Sequence, residues 1–336
     1  MLLIQYLDPQ QRSCVGLLAE DGESCRPILG VASSYDLAWA AIAAGHDLAT
    51  QVASRHQGEP VSYAALERAG ALLPPLTHAD VAHCHVTGTG LTHLGSAATR
   101  DQMHQAQAQA EAGGKAVTDS MKMFQWGMAG GRHRPGQPGT QPEWFYKGDG
   151  SIVTAPGQAL PSPDFALDHG EEPELVGLYL IGPDHRPYRL GFAVGNEFSD
   201  HVTERKNYLY LAHSKLRPCA MGPALRVGAL PADLIGESRI ERRGEVLWQR
   251  PFLTGEANMC HSIANLEYHH FKYAQFLQPG DVHLHFFGTA TLSFADGVCV
   301  EAGDTFVLSL PGFGPALRNP VASRPSSFAI EGVVSL

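Results

Sequence analysis

The segment EPELVGLYLIGPDHRPYRLGFAVGNE, residues 172–197, constrains the fold more than any other part of the chain. Two apolar runs, ELVGLYLIG and YRLGFAVG, flank the turn signal PDHRP, a strand–turn–strand pattern. Glu172 and Glu174 stand two apart at the start of the first run, and residues two apart in a strand point to the same face. A hairpin of this length returns residue 197 beside residues 172–174, which brings in Glu197. Three converging anions are costly unless a cation neutralises them. All-oxygen donors suit a hard divalent ion, Mg²⁺ first, with Mn²⁺ or Ca²⁺ as alternatives. On spacing alone, the other reading of E-x-E is a solvated strand edge.

The rest of the chain reads as α+β. Residues 1–30 alternate apolar and polar, as short strands. Helical spacing predicts a helix near 34–54 and a second one in VSYAALERAGA. The proline pair in LLPPLTH places the boundary of a small α+β N-terminal domain at residue 75, with a second domain over 76–336. TRDQMHQAQAQAEAGGKA reads as a surface helix or lid, and the glycine- and proline-rich stretch after it as a long loop, so that 104–140 could close over a site. From 150 on, short strand-like runs dominate, interrupted by one helix near 256–277.

The formal net charge of -10 argues against nucleic acid or an anionic membrane as partner, since both reward excess Lys and Arg. No apolar stretch reaches the roughly 20 residues of a membrane span. The chain is expected to be cytoplasmic. Six scattered cysteines without C-x-x-C read as free thiols rather than as disulfides.

EPELVGLYLIG followed by GFAVGNEFSDH resembles the fumarylacetoacetate hydrolase superfamily. Further segments match in order: WFYKGDGSIV (144–153), LQPGDVHLHFFGTA (277–290) and VEAGDTFVLSLPGFGPALRNPV (300–321). The resemblance covers roughly 140–322, and the N-terminal third matches only loosely. It implies a mixed β-roll catalytic domain, usually a homodimer, with a divalent metal on Glu172, Glu174 and Glu197. It also implies a small-molecule substrate, a 2-oxo or 2,4-dioxo acid whose oxygens meet the metal.

Hydrolases of this family carry a water-activating histidine and acid in a segment matching GTGLTHLGSAATRDQMH (88–104). Here Ser96 and Thr99 stand at those positions. This departure points to the 2-keto-3-deoxy sugar acid dehydratases, which need no activated water. A 2-keto-3-deoxypentonate would give 2,5-dioxopentanoate. A hydrolase of a diketo-3-deoxy sugar acid and a non-catalytic sugar-acid-binding protein remain as alternatives. Within the family frame, Lys147 supplies positive charge to an enolate or acts as base. His93, three residues before Ser96, is the alternative base. Gly288 and Thr289 are expected to bind the substrate carboxylate through backbone N–H and hydroxyl, and Lys215 and His201 are candidate substrate contacts. The H-x-H pairs at 83–85 and 283–285 and the His269–His270 pair could make a zinc site. No partner pattern accompanies them, so they are read as structural or surface histidines.

Overall fold

The computed structural model describes residues 1–95, 118–326 and 328–336. Ser96, Thr99, the whole segment TRDQMHQAQAQAEAGGKA expected to form a polar helix or lid, and residues 104–117 of the stretch that could close over a site lie outside the described residues. Among the described residues, the backbone builds a 13-stranded sheet and a 5-stranded sheet. The main path of the larger sheet starts at Val61–Ser62 and passes through Ser24–Pro27, Ser13–Leu18, Leu2–Leu7, Ala224–Arg226 and Pro187–Asn196. It continues through Pro173–Ile181, Val282–Phe286 and Cys84–Gly90 to Glu143–Asp149. The smaller sheet runs Glu245–Thr254, Leu234–Arg242, Thr305–Ser309, Leu317–Arg324, Leu160–Pro163.

The central hairpin explains the apolar runs that mark the sequence. Every residue of Pro173–Ile181 is buried, because both faces of the strand are covered. Val176, Leu178 and Leu180 pack with Leu37 and Ala41 of helix Ser34–Ala44, while Leu175 packs with Ile240, Phe252 and Phe306 of the smaller sheet. A strand covered on both sides reads as a near-continuous apolar run rather than as alternation. The hairpin pairs Glu174 with Gly195 and Pro173 with Asn196, as the sequence predicts. Leu2–Leu7 pairs with Ala224–Arg226, Leu3 opposite Leu225, so one hydrogen-bonded sheet crosses residue 75.

The helices differ from expectation where caps or tertiary bonds intervene. The predicted 34–54 helix is two helices, Ser34–Ala44 and Leu48–Ala53. Gly45, in the left-handed region at φ 67°, closes the first, and the Asp47 side chain accepts from Thr50 N–H to open the second. The helix expected near 256–277 is confined to Ile263–Phe271. Ahead of it the Glu256 and Met259 carbonyls accept from the Arg132 guanidinium, and Cys260 N–H donates to Thr92 O. Those groups are spent on tertiary partners, and Ser262 then caps the helix. No helix among the described residues is long and apolar enough to cross a membrane.

Candidate metal centre

The ladder between Pro173–Ile181 and Pro187–Asn196 extends one step past its formal end. Glu197 N–H donates to Glu172 O at 3.0 Å, which sets residues 172 and 197 opposite each other. With the period of two, Glu172, Glu174 and Glu197 share one face. A ligand atom from each lies within 4.8 Å of the others, and all three residues are buried. Gly195, opposite Glu174, gives the room: a Cβ there would fall 2.4 Å from Val176 Cγ2.

Three cations surround the carboxylates. Lys147, in strand Glu143–Asp149, is wholly buried, and its Nζ donates to Glu197 Oε1 at 2.6 Å, Phe198 O at 2.8 Å and Lys215 O at 2.9 Å. All three N–H donors of an ammonium are thereby engaged, which leaves no lone pair for a base. Lys215, at the end of the short helix Leu211–Lys215, bridges the ligands. Its Nζ donates to Glu172 Oε1, to Glu197 Oε2 at 2.8 Å and to Ser199 Oγ at 3.2 Å. Burial works against its charge, but Glu172 and Glu197 outweigh that and hold its pKa above the ordinary lysine value. His201 stands between Asp168 Oδ2 at 3.0 Å and Glu172 Oε1 at 3.1 Å. Burial opposes its charge as well, yet the two carboxylates raise its pKa to about 10, so it is an imidazolium at neutral pH.

Asp168, Glu172, Glu174 and Glu197 thus face Lys147, Lys215 and His201, and one carboxylate is left over. It is Glu174. Its pKa is pushed well above 4.5, first by burial and then by Glu197 and Glu172. Glu172 goes the other way: burial raises its pKa, but Lys215 and His201 together bring it well below the ordinary value. The Glu174 Oε2 accepts from Gly288 N–H at 2.6 Å, and this is the contact that fixes it. A buried, surplus carboxylate beside two others is a donor set that fits a hard divalent cation.

The remaining expected residues are placed around this centre. Gly288 spends its N–H on Glu174, not on an open site. Its φ of +88° and the 2.5 Å between an added Cβ and Thr92 Oγ1 require glycine. Thr289 Oγ1 accepts from Thr291 N–H at 3.2 Å. His93 is buried one residue beyond Thr92, with its ring nitrogens 3.0 Å from the Thr92 and Thr254 hydroxyls. Burial brings its pKa down to about 3, a poor proton acceptor at neutral pH. His201 has both ring nitrogens on carboxylates, so it orients Glu172.

Two acids escaped the sequence reading. Asp168 lies in an irregular segment and reaches His201 only through the fold. Glu171 precedes Glu172 and therefore faces the opposite way. It is wholly buried, accepts from Ser293 N–H at 2.8 Å and Oγ–H at 2.5 Å, and burial raises its pKa to about 7. It ties the loop after Gly288 to the base of the hairpin. The E-E-P-E run was its only signal.

No family model matches the chain. A stretch of 121 residues is 33% identical to a probable 2-keto-3-deoxyxylonate dehydratase of Haloferax volcanii, covering 34% of this chain and 40% of that relative's length. Among solved structures, 2-keto-3-deoxy-D-arabinonate dehydratase complexed with magnesium and 2,5-dioxopentanoate superposes with a TM-score of 0.70 at 16% identity. The match covers 97% of this chain and 100% of that one. The 5-carboxymethyl-2-hydroxymuconate delta-isomerase of Mycobacterium smegmatis matches with a TM-score of 0.58 at 18% identity, over 96% of this chain and 100% of that one. These likenesses establish the fold, an α+β architecture of the fumarylacetoacetate hydrolase type.

Proposed function

We propose that the chain is a divalent-metal-dependent dehydratase of a 2-keto-3-deoxy sugar acid, with conversion of 2-keto-3-deoxypentonate to 2,5-dioxopentanoate and water as the leading case. The observation that carries this reading is the surplus buried carboxylate at Glu174, beside Glu172 and Glu197. The relatives add support, since one is a probable 2-keto-3-deoxyxylonate dehydratase and another a 2-keto-3-deoxy-D-arabinonate dehydratase.

Glu172, Glu174 and Glu197 would hold Mg²⁺, with Mn²⁺ or Ca²⁺ as substitutes. Bound there, the ion would polarise the substrate's 2-keto group and make the C3 proton more acidic. The chain's own groups do the rest. Lys147 pins Glu197, and His201 pins Glu172 against Asp168, so the ligand face is rigid before substrate arrives. Lys215 Nζ carries a proton beside Glu172 and Glu197. It is the candidate relay for the elimination: it gives a proton to the departing C4 hydroxyl, which leaves as water, and as the resulting amine regains a proton from C3, after which the enol tautomerises. The Thr289 hydroxyl, next to the Glu174 anchor, is the candidate contact for the substrate carboxylate. Burial of all three ligands keeps bulk water away. A homodimeric, cytoplasmic enzyme is part of the same proposal and rests on the family resemblance.

The test is mass spectrometry of purified protein with Mg²⁺ and a mixture of 2-keto-3-deoxypentonates and hexonates. Loss of one water with all carbons retained, stopped by EDTA, is expected. Release of pyruvate from a diketo acid would move the reading to a hydrolase, and binding without turnover to a sugar-acid-binding protein.

A further inference from the structure

The histidine pairs set aside in the sequence converge in the fold. Strands Cys84–Gly90 and Val282–Phe286 run parallel with His85 opposite His283, so the two side chains share a face. Asp281, just before the second strand, places its carboxylate 2.7 Å from His83 Nδ1 and 3.2 Å from His85 Nε2. Donor atoms of His85, Asp281 and His283 all lie within 4.8 Å of one another. Helix Ile263–Phe271 lays His270 onto the same face, with its Nε2 2.9 Å from His283 Nδ1.

The outer contacts prepare these rings as ligands. His85 Nδ1 is 3.3 Å from the Tyr146 hydroxyl and His283 Nδ1 meets His270. Each ring thus has its Nδ1 held from outside and its Nε2 left for the cluster, the arrangement that second-sphere groups impose on metal-binding histidines. His283 is fully buried, and its Nε2 has no hydrogen-bond partner. An orphaned buried nitrogen is costly unless something meets it. Burial pushes the His283 pKa well below 6.5.

We propose that His85, Asp281 and His283 form a second metal site, for a borderline divalent transition ion of the Zn²⁺ class. Two imidazoles and one carboxylate favour such an ion over Mg²⁺. The site is made of residues other than those of the carboxylate centre. His283 pairs with Tyr179, five residues along the strand from Glu174, or about 16 Å at ~3.3 Å per residue. The ion would sit where His85 Nε2 and Asp281 Oδ2 meet at 3.2 Å. His85 and His83, with side chains 19% and 56% exposed, give it a path from solvent. Its effect would be to clamp the strand that leads to Thr92 and His93 onto the strand that leads to Gly288.

The experiment uses the full chain carrying Glu174→Gln, which disables the carboxylate centre, stripped of metal and titrated with Co²⁺. Expected is one Co²⁺ per chain with the intense visible absorption of a four-coordinate nitrogen–oxygen site, displaced by Zn²⁺ but not by Mg²⁺. Adding His85→Gln should abolish the band and weaken Zn²⁺ binding by about 100-fold or more. His85 is partly exposed, so that variant keeps its fold, as circular dichroism will verify. His283→Gln should act alike. A Co²⁺ spectrum without the intense band, or a band that survives His85→Gln, overturns the proposal.

Discussion

Replacing Glu174 by Gln separates the cost of the surplus carboxylate from its use. In the folded chain its pKa lies well above 4.5, through burial and the charges of Glu197 and Glu172. A raised carboxyl pKa means that the folded chain holds a proton the unfolded chain has released. Stability therefore falls as pH rises above 4.5, by about 1.4 kcal/mol per pH unit, and about 3.4 kcal/mol is the ceiling at pH 7. Glutamine escapes this penalty. Its carbonyl still accepts from Gly288 N–H, and its amide can donate to the neighbouring carboxylates. In EDTA at pH 7 the variant should be more stable than the natural chain by about 1–3 kcal/mol, and the difference should vanish near pH 4.5. With Mg²⁺ the order should invert, because the natural chain gains about 4.1 kcal/mol at a thousand times the dissociation constant and the variant gains little. Urea midpoints at pH 5 and 7, with EDTA and with Mg²⁺, measure all four states. A variant less stable in EDTA at pH 7, or an equal Mg²⁺ gain in both proteins, would refute the reasoning.

Lys215→Met should leave Glu172 and Glu197 without the ammonium that bridges them, at a cost of about 3–5 kcal/mol in EDTA. A loss below about 1 kcal/mol in the urea midpoint would mean that the carboxylates find other partners or water. Gly288→Ala must move the chain off φ +88° and away from Thr92 Oγ1, at 2.5 Å from the added Cβ. It should cost about 1–3 kcal/mol and weaken Mg²⁺ binding measurably by calorimetry, since the N–H on Glu174 shifts with it. Unchanged Mg²⁺ affinity would free Gly288 of that role. His93 and His285 are both held near pKa 3 by burial, from 6.5. A depressed histidine pKa gives stability that is full above 6.5 and lost as pH falls, about 2 kcal/mol per histidine by pH 5. In the Mg²⁺-loaded protein, a flat stability between pH 7 and 5 would contradict this.

The triad was legible because strand parity and hairpin length are local properties. Glu172, Glu174 and Glu197 needed only the period of two and the turn at PDHRP. The break at Gly45 was equally local, yet the apolar spacing of 34–54 hid it. What could not be read depends on distant pairings. Lys147 and Lys215 stood out in the sequence, but their carboxylate partners come from the sheet register. The 256–277 prediction failed because Arg132 and Thr92, far off in the chain, take up backbone groups that a helix would use. The histidine cluster was invisible for the same reason: H-x-H in two strands means little until a parallel register sets His85 against His283.

The measurement that bears most directly on the carboxylate centre is Mn²⁺ electron paramagnetic resonance on the metal-free protein, with and without a 2-keto-3-deoxypentonate. The expected result is an oxygen-coordinated Mn²⁺ that Mg²⁺ displaces and Glu174→Gln removes, and whose spectrum changes with the keto acid but not with the corresponding sugar acid lacking the keto group. A spectrum indifferent to Glu174→Gln, or one that the keto acid leaves unchanged, would contradict a metal that meets its substrate at these three glutamates.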